Sequence, residues 1–265
     1  MNITDGMDGT PVRLKDAAEV AKACAGDALV LWGAQAMGPG VRAWALGEAV
    51  AVACPDLNRR DRLTVRGRPG PVRALVRHAL REIGPSYRVT GERALVEEVA
   101  AGDARLRVLG TFEWMDTPPG APPDALTAPG PGRDAGPGQA GWLRTAQEGE
   151  VSALLARAAP SSWAVPGVPG VRRWAGVRGD DGRLVAVAAD AWSCPPVGFV
   201  AGVATAPALR GRGYGERVCR FALGELAAAH ERVALMVDTG NHAAIALYER
   251  LGLRGRPLAA AALDG

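Results

Sequence analysis

The sequence predicts a mixed α/β protein in two halves of similar build, and three observations carry that prediction. In both halves, apolar runs of strand length alternate with segments of helical periodicity, the pattern of a sheet layered with helices. Between Thr117 and Ala140 half of the residues are Pro or Gly, and apolar periodicity disappears. Proline fixes φ and removes donors, and glycine raises the entropy lost on ordering, so this stretch predicts an extended linker or long surface loop. The third observation is that a hairpin, strand, helix, strand, helix order occurs on both sides of it. The expected division is therefore a domain over 1–116, a linker over 117–140 and a second domain over 141–265.

Composition sets the frame for this reading. The chain has 265 residues, enough for two modest domains. It is 48% hydrophobic and 22% charged, proportions of a globular rather than a disordered or fibrous chain. Thirty-one basic residues against 28 acidic ones leave a net charge of +3, with no Lys/Arg run. That balance argues against a nucleic-acid partner held by phosphate contacts. No uninterrupted apolar stretch is long enough to span a bilayer, and Met1-Asn2-Ile3-Thr4-Asp5-Gly6 is not a basic region leading into an apolar core. The expectation is a soluble, cytoplasmic protein with no membrane partner. Cys24, Cys54, Cys194 and Cys219 are scattered without a C-x-x-C pair, so they are expected to be free thiols and no metal site is expected.

In the first half, Leu14 to Ala25 predicts a helix and Ala28 to Trp32 a strand. Val41 to Leu46 and Ala49 to Cys54 flank Gly47-Glu48, a hairpin signal. Arg62 to Val65 predicts a strand, and Pro71 to Ile83 a helix whose apolar face is Val72, Leu75, Val76, Ala79 and Leu80. Tyr87 to Thr90 (strand), Arg93 to Ala100 (helix) and Leu106 to Trp114 (strand) complete it. In the second half, Glu148 to Ala159 predicts a helix that stops at Pro160. Val171 to Val177 and Leu184 to Ala191 flank Gly179-Asp180-Asp181-Gly182, a second hairpin. Phe199 to Thr205 predicts a strand, Tyr214 to Ala229 a helix, Val233 to Val237 a buried central strand and Asn241 to Leu251 a helix, followed by a short apolar tail.

The segment that joins the Phe199 strand to the Tyr214 helix carries the chemistry. It reads Val203-Ala204-Thr205-Ala206-Pro207-Ala208-Leu209-Arg210-Gly211-Arg212-Gly213-Tyr214-Gly215. Glycines let consecutive N–H groups point into one concavity, and a helix start adds unpaired donors and its positive dipole end. Together these make a cradle for a pyrophosphate; the alternative is a merely flexible Gly/Arg loop. There is no G-x-G-x-x-G and no Gly-Lys-Ser/Thr, so neither the dinucleotide nor the P-loop signature applies. Instead Arg210-x-x-Gly213-x-Gly215 resembles the R/Q-x-x-G-x-G/A coenzyme-A motif of the GCN5-related N-acetyltransferases (GNAT). Downstream, Asn241-His242-Ala243-Ala244-Ile245-Ala246-Leu247-Tyr248-Glu249-Arg250-Leu251-Gly252-Leu253 resembles that family's N-x-x-A-I-x-L-Y-x-x-L-G-F helix, with Leu253 in place of the final Phe.

The resemblance implies two tandem GNAT-like domains, an acetyl-CoA co-substrate, no metal, and transfer of acetyl to a primary amine on a small molecule or peptide. A catalytically silent coenzyme-A-binding scaffold is the other class left open. Carried onto this chain, the resemblance implies that the backbone of Val203, Ala204 and Thr205 pairs with the pantetheine arm. The amides of Arg210, Gly211, Arg212, Gly213, Tyr214 and Gly215 would hold the pyrophosphate. Asn241 would hydrogen-bond the coenzyme, and Tyr248 would protonate the departing thiolate. Asn241 as a helix cap and Tyr248 as a packing residue are the structural alternatives. The family often places a Glu on or near the fourth strand as a base; Gly198 to Thr205 contains no acid. Asp190, Asp238 and His242 are the available candidates, and none is assigned.

The first half looks like a degenerate copy. Its equivalent loop is Arg66-Gly67-Arg68-Pro69-Gly70-Pro71, in which two prolines remove two donors from the arc that would face phosphate. No counterpart of Asn241 or Tyr248 stands in Gly91 to Ala101, where Glu97 and Glu98 are poor company for a polyanion. This half is therefore expected not to bind acetyl-CoA. Among the seven tryptophans, Trp32 and Trp163 are candidates to line an acceptor pocket.

Overall fold

The structure is a computed structural model that describes residues 9–120, 126 and 138–264. Most of the Pro/Gly-rich segment 117–140 lies outside the described residues, as does the amino terminus from Met1 to Asp8. The elements run β1 (Val12–Leu14), α1 (Ala17–Ala23), α2 (Ala28–Ala34), β2 (Arg42–Leu46), β3 (Ala49–Cys54), β4 (Arg62–Arg66), α3 (Pro69–Ile83), β5 (Arg88–Glu92), α4 (Arg93–Ala101) and β6 (Leu106–Asp116). They continue with β7 (Ala140–Trp142), α5 (Glu148–Ala158), β8 (Val171–Arg178), β9 (Leu184–Ala191), β10 (Val197–Thr205), α6 (Tyr214–Ala227), β11 (Arg232–Asp238), α7 (His242–Arg250) and β12 (Arg254–Leu263). The fold is the mixed α/β class that the alternating pattern predicts.

The chain divides into two units that exchange segments. The first comprises 1–114, 236–242 and 255–265; the second comprises 115–235 and 243–254. The first unit has strand order β1-β2-β3-β4-β5-β12-β6. Its hairpin β2–β3 has the register Arg42↔Ala53 to Leu46↔Ala49, as the Gly47-Glu48 turn requires. The expected apolar tail is instead a ten-residue strand, β12, which pairs antiparallel with β5 at Leu258↔Glu92 through Ala261↔Val89. It therefore contributes to the first unit although it follows α7 in the chain.

The two faces of the first sheet are covered differently. On one, Leu63, Val65 and Val89 meet Val72, Leu75, Val76 and Ala79 of α3 and Ala259 and Ala261 of β12 in an apolar core. On the other, α1 and α2 cover Val50 and Val52 through Val20, Val30 and Ala34. Residues Ala28 to Trp32, expected as a strand, are the start of helix α2. An apolar run of five residues does not distinguish a buried strand from a buried helix. The Asp27 carboxylate decides it by accepting the Val30 N–H at 3.1 Å, an N-cap that starts the helical turn. Gly33 lets α2 lie against the sheet, because a Cβ there would meet Thr64 Oγ1 at 2.6 Å.

Asp27 also receives both terminal nitrogens of Arg256, at 2.8 and 2.9 Å, and its side chain is only 10% exposed. Burial by itself pushes this carboxyl up; the Arg256 fork, the Val30 N–H and Arg66 together bring it below its ordinary value of 3.8. A depressed folded pKa gives stability that is complete above 3.8 and is lost as pH falls through the lower folded value. Arg256→Met is expected to lower unfolding stability near neutrality by about 3 kcal/mol, since it strands a buried carboxylate with Arg66 alone. Burial then dominates and raises the carboxyl pKa, so the deficit narrows when unfolding is repeated at about pH 4. An equal deficit at both pH values would contradict the ion-pair account.

The second unit has strand order β11-β10-β9-β8-β7. Its hairpin β8–β9 turns at 179–182, where Gly182 adopts φ 75°. Strand β9 is buried along its whole length, while α5 buries Val151, Leu154 and Leu155 and α6 buries Val218, Phe221, Ala222 and Leu226. The four cysteines form no disulfide among the described residues, and all are buried.

Candidate active site

The site grows from the irregularity of β10. Its first residues, Val197 to Val200, pair in parallel with Arg232 to Leu235 of β11, and the pairing stops there. From Ala201 to Thr205 the β10 edge on that side has no strand partner among the described residues. On the other side β10 pairs antiparallel with β9, but two residues, Gly202 and Val203, stand opposite Ala188 alone. This is a β-bulge, made by Gly202 at φ 60°. A Cβ on Gly202 would meet the Trp174 ring at 2.6 Å and Ala164 Cβ at 3.1 Å, so the bulge is backed by Trp174 and by the loop that follows α5. An isolated glycine inside a strand pattern was the available sequence signal for this bulge, and sequence reasoning did not use it.

Eight residues, from 206 to 213, connect β10 to α6. The Ala206 N–H is anchored to the Val185 carbonyl at 2.8 Å, and Pro207–Leu209 form one 3-10 turn. The Arg210 guanidinium donates to the Ala158 carbonyl at 3.0 Å, at the last residue of α5. A cation there meets the negative end of the helix dipole and pins the loop. Gly211 and Gly213 take φ values of 78° and 80°, left-handed conformations that favour glycine. A Cβ on either would meet nothing within 4 Å, so this side of the loop is open. Gly215 packs closely on the strand end, where a Cβ would lie 2.9 Å from Thr205 Oγ1.

Helix α6 begins at Tyr214 with Gly213 as its cap, and no side chain caps it. The first N–H of the helix to find a backbone acceptor is that of Arg217, bonded to the Gly213 carbonyl at 3.0 Å. The amides from Gly211 to Glu216 have no acceptor among the described residues, as expected of a loop and first helical turn that face outward. Glu216, the acid of this turn, is engaged by Arg220 at 2.9 Å and lies 4.0 Å from Arg250. The Arg217 guanidinium sits 5.3 Å from the Tyr214 ring centroid.

Tyr248, on α7, is 5% exposed. Its hydroxyl makes no hydrogen bond among the described residues. Burial, with the Cys219 thiol nearby, holds the phenol well above its ordinary value of 10.0, so it stays protonated. Burial likewise pushes the Cys219 thiol up to about 12, which makes it an inert neighbour.

The other sequence candidates fall out differently. Val203 and Thr205 lie on the unpaired stretch of β10 at intermediate exposure, and Ala204 is buried. Asn241 is exposed and sits in the segment 236–242 that groups with the first unit; its N–H donates to the Asp238 carbonyl at 2.9 Å. Asp238 accepts the Gly240 N–H at 2.7 Å, and His242 is exposed. Asp190 is 3% exposed and committed, accepting from Ser193 Oγ at 2.6 Å and Arg173 Nε at 3.1 Å. It is a structural anion rather than a free base. Trp32 is fully buried under the first sheet, and Trp163 is 41% exposed in the loop that backs the bulge.

The corresponding place in the first unit is built differently. Only Gly67 and Arg68 separate β4 from α3. A Cβ on Gly67 would lie 2.6 Å from Ala49 Cα, so β3 closes the space that stands open beside Gly211 and Gly213. Pro69 and Pro71 enter the first turn of α3 without N–H groups.

Residues 154–253 match the model of the acetyltransferase (GNAT) family. A GCN5-related N-acetyltransferase from Kribbella flavida superposes with a TM-score of 0.58 at 20% identity, covering 90% of this chain and 95% of that one. A GCN5-related N-acetyltransferase from Sphaerobacter thermophilus gives 0.54 at 15%, covering 96% and 95%. A tandem GNAT protein from the clavulanic acid biosynthesis pathway gives 0.50 at 16%, covering 97% and 98%. No curated protein matches the chain significantly. Among the described residues no helix is long and apolar enough to cross a membrane, and no group of three His, Cys, Asp or Glu side chains is placed to hold a metal. The fold is that of tandem GNAT-like units, and residues 154–253 are similar to the acetyltransferase (GNAT) family.

Proposed function

We propose that this protein transfers acetyl from acetyl-CoA to a primary amine by direct attack in a ternary complex, and that the second unit carries the chemistry. The observation that carries this reading is the continuity of the unpaired β10 edge with a loop whose amides have no acceptor among the described residues and which is open beside Gly211 and Gly213. An extended pantetheine chain would pair with Val203 to Thr205 as an added strand pairs with a sheet edge. The amides from Gly211 to Gly215 and the α6 N-terminus would take the pyrophosphate, while Arg210 holds the loop by its bond to Ala158. Asn241 would bond the amide chain of the coenzyme.

In this reading the thioester would lie beside the bulge. A main-chain N–H left out of the ladder there would stabilise the carbonyl oxygen as it gains charge on attack. The amine nitrogen forms a bond to the carbonyl carbon and loses a proton to solvent, the C–S bond breaks, and Tyr248 gives its proton to the leaving sulfur. With β10 free of acids and Asp190 committed to Arg173, the amine reacts through its neutral fraction, and no side chain is assigned as base. The same lack of a base favours the second reading, a coenzyme-A-binding scaffold without turnover. The two-residue β4–α3 connection and the filled space beside Gly67 support a first unit that does not hold acetyl-CoA.

Titration calorimetry with acetyl-CoA, followed by thiol release over a panel of amines, tests the proposal. Heat with no release for any acceptor would leave the scaffold, and absence of heat would remove both readings. Gly213→Val is expected to weaken acetyl-CoA binding by about 10²-fold, because a β-branched residue fits neither φ 80° nor the phosphate arc. Unchanged calorimetric affinity would contradict the cradle.

A further inference from the structure

The first turn of α6 carries a negative charge in the region where a polyanion is proposed to bind. Glu216 lends its N–H to the arc that faces the diphosphate, yet its carboxylate has the wrong sign for that neighbour. Two arginines answer it. Arg220, one turn further along α6, donates through Nη2 to Glu216 Oε1 at 2.9 Å. Arg250, the last residue of α7, brings its Nη2 to 4.0 Å from Glu216 Oε2.

The two contacts differ in kind. The Arg220 contact is a hydrogen bond, and it holds the carboxylate on its own helix. The Arg250 contact is longer than any hydrogen bond, and the Arg250 side chain is 62% exposed. Arg250 Nη1 donates to the Ala246 carbonyl at 3.1 Å, which steadies the guanidinium and leaves Nη2 aimed at the distant carboxylate. An ion pair of that length and exposure adds almost nothing to stability, so a strut between α6 and α7 is a poor account of it. Nor are the neighbouring cations equally available. Arg210 is spent on the Ala158 carbonyl, and Arg217 donates to the Gly138 carbonyl at 3.3 Å. Two arginines against one carboxylate leave a surplus positive charge beside the first turn of α6.

Coenzyme A carries more phosphate than the cradle can serve. Beyond the diphosphate, its ribose bears a phosphate monoester with a charge of about −1.5 to −2 near neutrality. The main-chain amides of one helix start are used up on the diphosphate, so the monoester needs a side-chain cation, and a guanidinium fork suits it. We infer that Arg250 is the partner of the ribose phosphate of acetyl-CoA. Glu216 is its stand-in anion, holding Arg250 near the site until the phosphate displaces it, after which Arg220 alone retains Glu216. The inference rests on the acetyl-CoA reading above and deepens it, because it makes Arg250 a specificity residue for the phosphorylated coenzyme.

The test is titration calorimetry of the full chain with acetyl-CoA and with acetyl-dephospho-CoA, which lacks only the ribose phosphate. The parent is expected to bind acetyl-CoA about tenfold more tightly. Arg250→Gln should bring that ratio close to one by weakening acetyl-CoA, while the affinity for the dephospho compound moves by no more than about twofold. Arg250→Lys should give an intermediate ratio, since it keeps the charge and loses the fork. Glu216→Gln should widen the ratio by about threefold, because the phosphate no longer competes with a carboxylate for Arg250. Arg183→Gln, which removes the same charge from the β8–β9 turn, should leave the ratio unchanged. Equal affinity of the parent for the two compounds would overturn this inference and leave the acetyl-CoA reading standing, whereas no heat with either removes both. A ratio that survives Arg250→Gln while Tm falls would reduce Arg250 to a strut. A ratio lost in Arg212→Gln and kept in Arg250→Gln would give the phosphate to the exposed Arg212 and overturn the assignment just as firmly.

Discussion

Ending the chain at Leu253 is expected to leave the first unit unable to hold its fold, while the strand order β11-β10-β9-β8-β7 of the second persists. The shortened chain loses β12, whose Leu258 and Ala259 are fully buried and whose Ala261 is 1% exposed. Removing one buried leucine side chain costs about 2–5 kcal/mol. Here the ladder from Leu258↔Glu92 to Ala261↔Val89 goes as well, along with the Arg256 fork on Asp27. The sum approaches the whole stability of a domain, about 5–15 kcal/mol. Amide hydrogen exchange is the appropriate readout. Protection should vanish across β2 to β5 and remain across β8 to β10. Undiminished protection in β5 would show that β12 only decorates the sheet. The bared β5 edge should also make the shortened chain prone to aggregate, as unpaired edges do.

Tyr248→Phe is the second large effect, and it falls on turnover. If the hydroxyl supplies the proton to the leaving thiolate, kcat should drop about 10²-fold. KM for acetyl-CoA should move by no more than about twofold, since the ring and its packing are retained. The Tm should be nearly unchanged, because the hydroxyl has no protein hydrogen-bond partner among the described residues to lose. The pH profile supplies an independent check. The folded phenol pKa lies well above 10.0, so the acid stays loaded throughout the working range. Activity should therefore rise as the acceptor amine deprotonates and should not fall again below pH 10.0. A descending limb at lower pH would name a different acid, and a Phe variant with unchanged kcat would reduce Tyr248 to packing.

Much of the architecture was legible because local signals and burial agreed. Gly47-Glu48 and Gly179-Asp180-Asp181-Gly182 mark hairpins whose flanking strands are apolar on the faces they bury, so turn and core give one answer. Ala28 to Trp32 was misleading because a run buried on all sides has no period to read, and only the Asp27 cap separates helix from strand. Strand β12 was illegible for another reason: Leu258 to Ala261 is apolar, but nothing local says that its partner is β5, far earlier in the chain. Within the site, the Arg210–Gly215 spacing announced the loop. The pairing that stops at Val200 and the anchoring of Arg210 to Ala158 depend on contacts between elements and leave no mark in the motif.

The late position of β12 also bears on how the chain is made. Elements of the first unit leave the ribosome early, yet the strand that fits between β5 and β6 emerges only after every element of the second unit. Vectorial synthesis ordinarily lets an amino-terminal domain finish first. This one must wait, half-sheeted, and nascent-chain stalling before residue 254 should catch it open to proteases or holding chaperones.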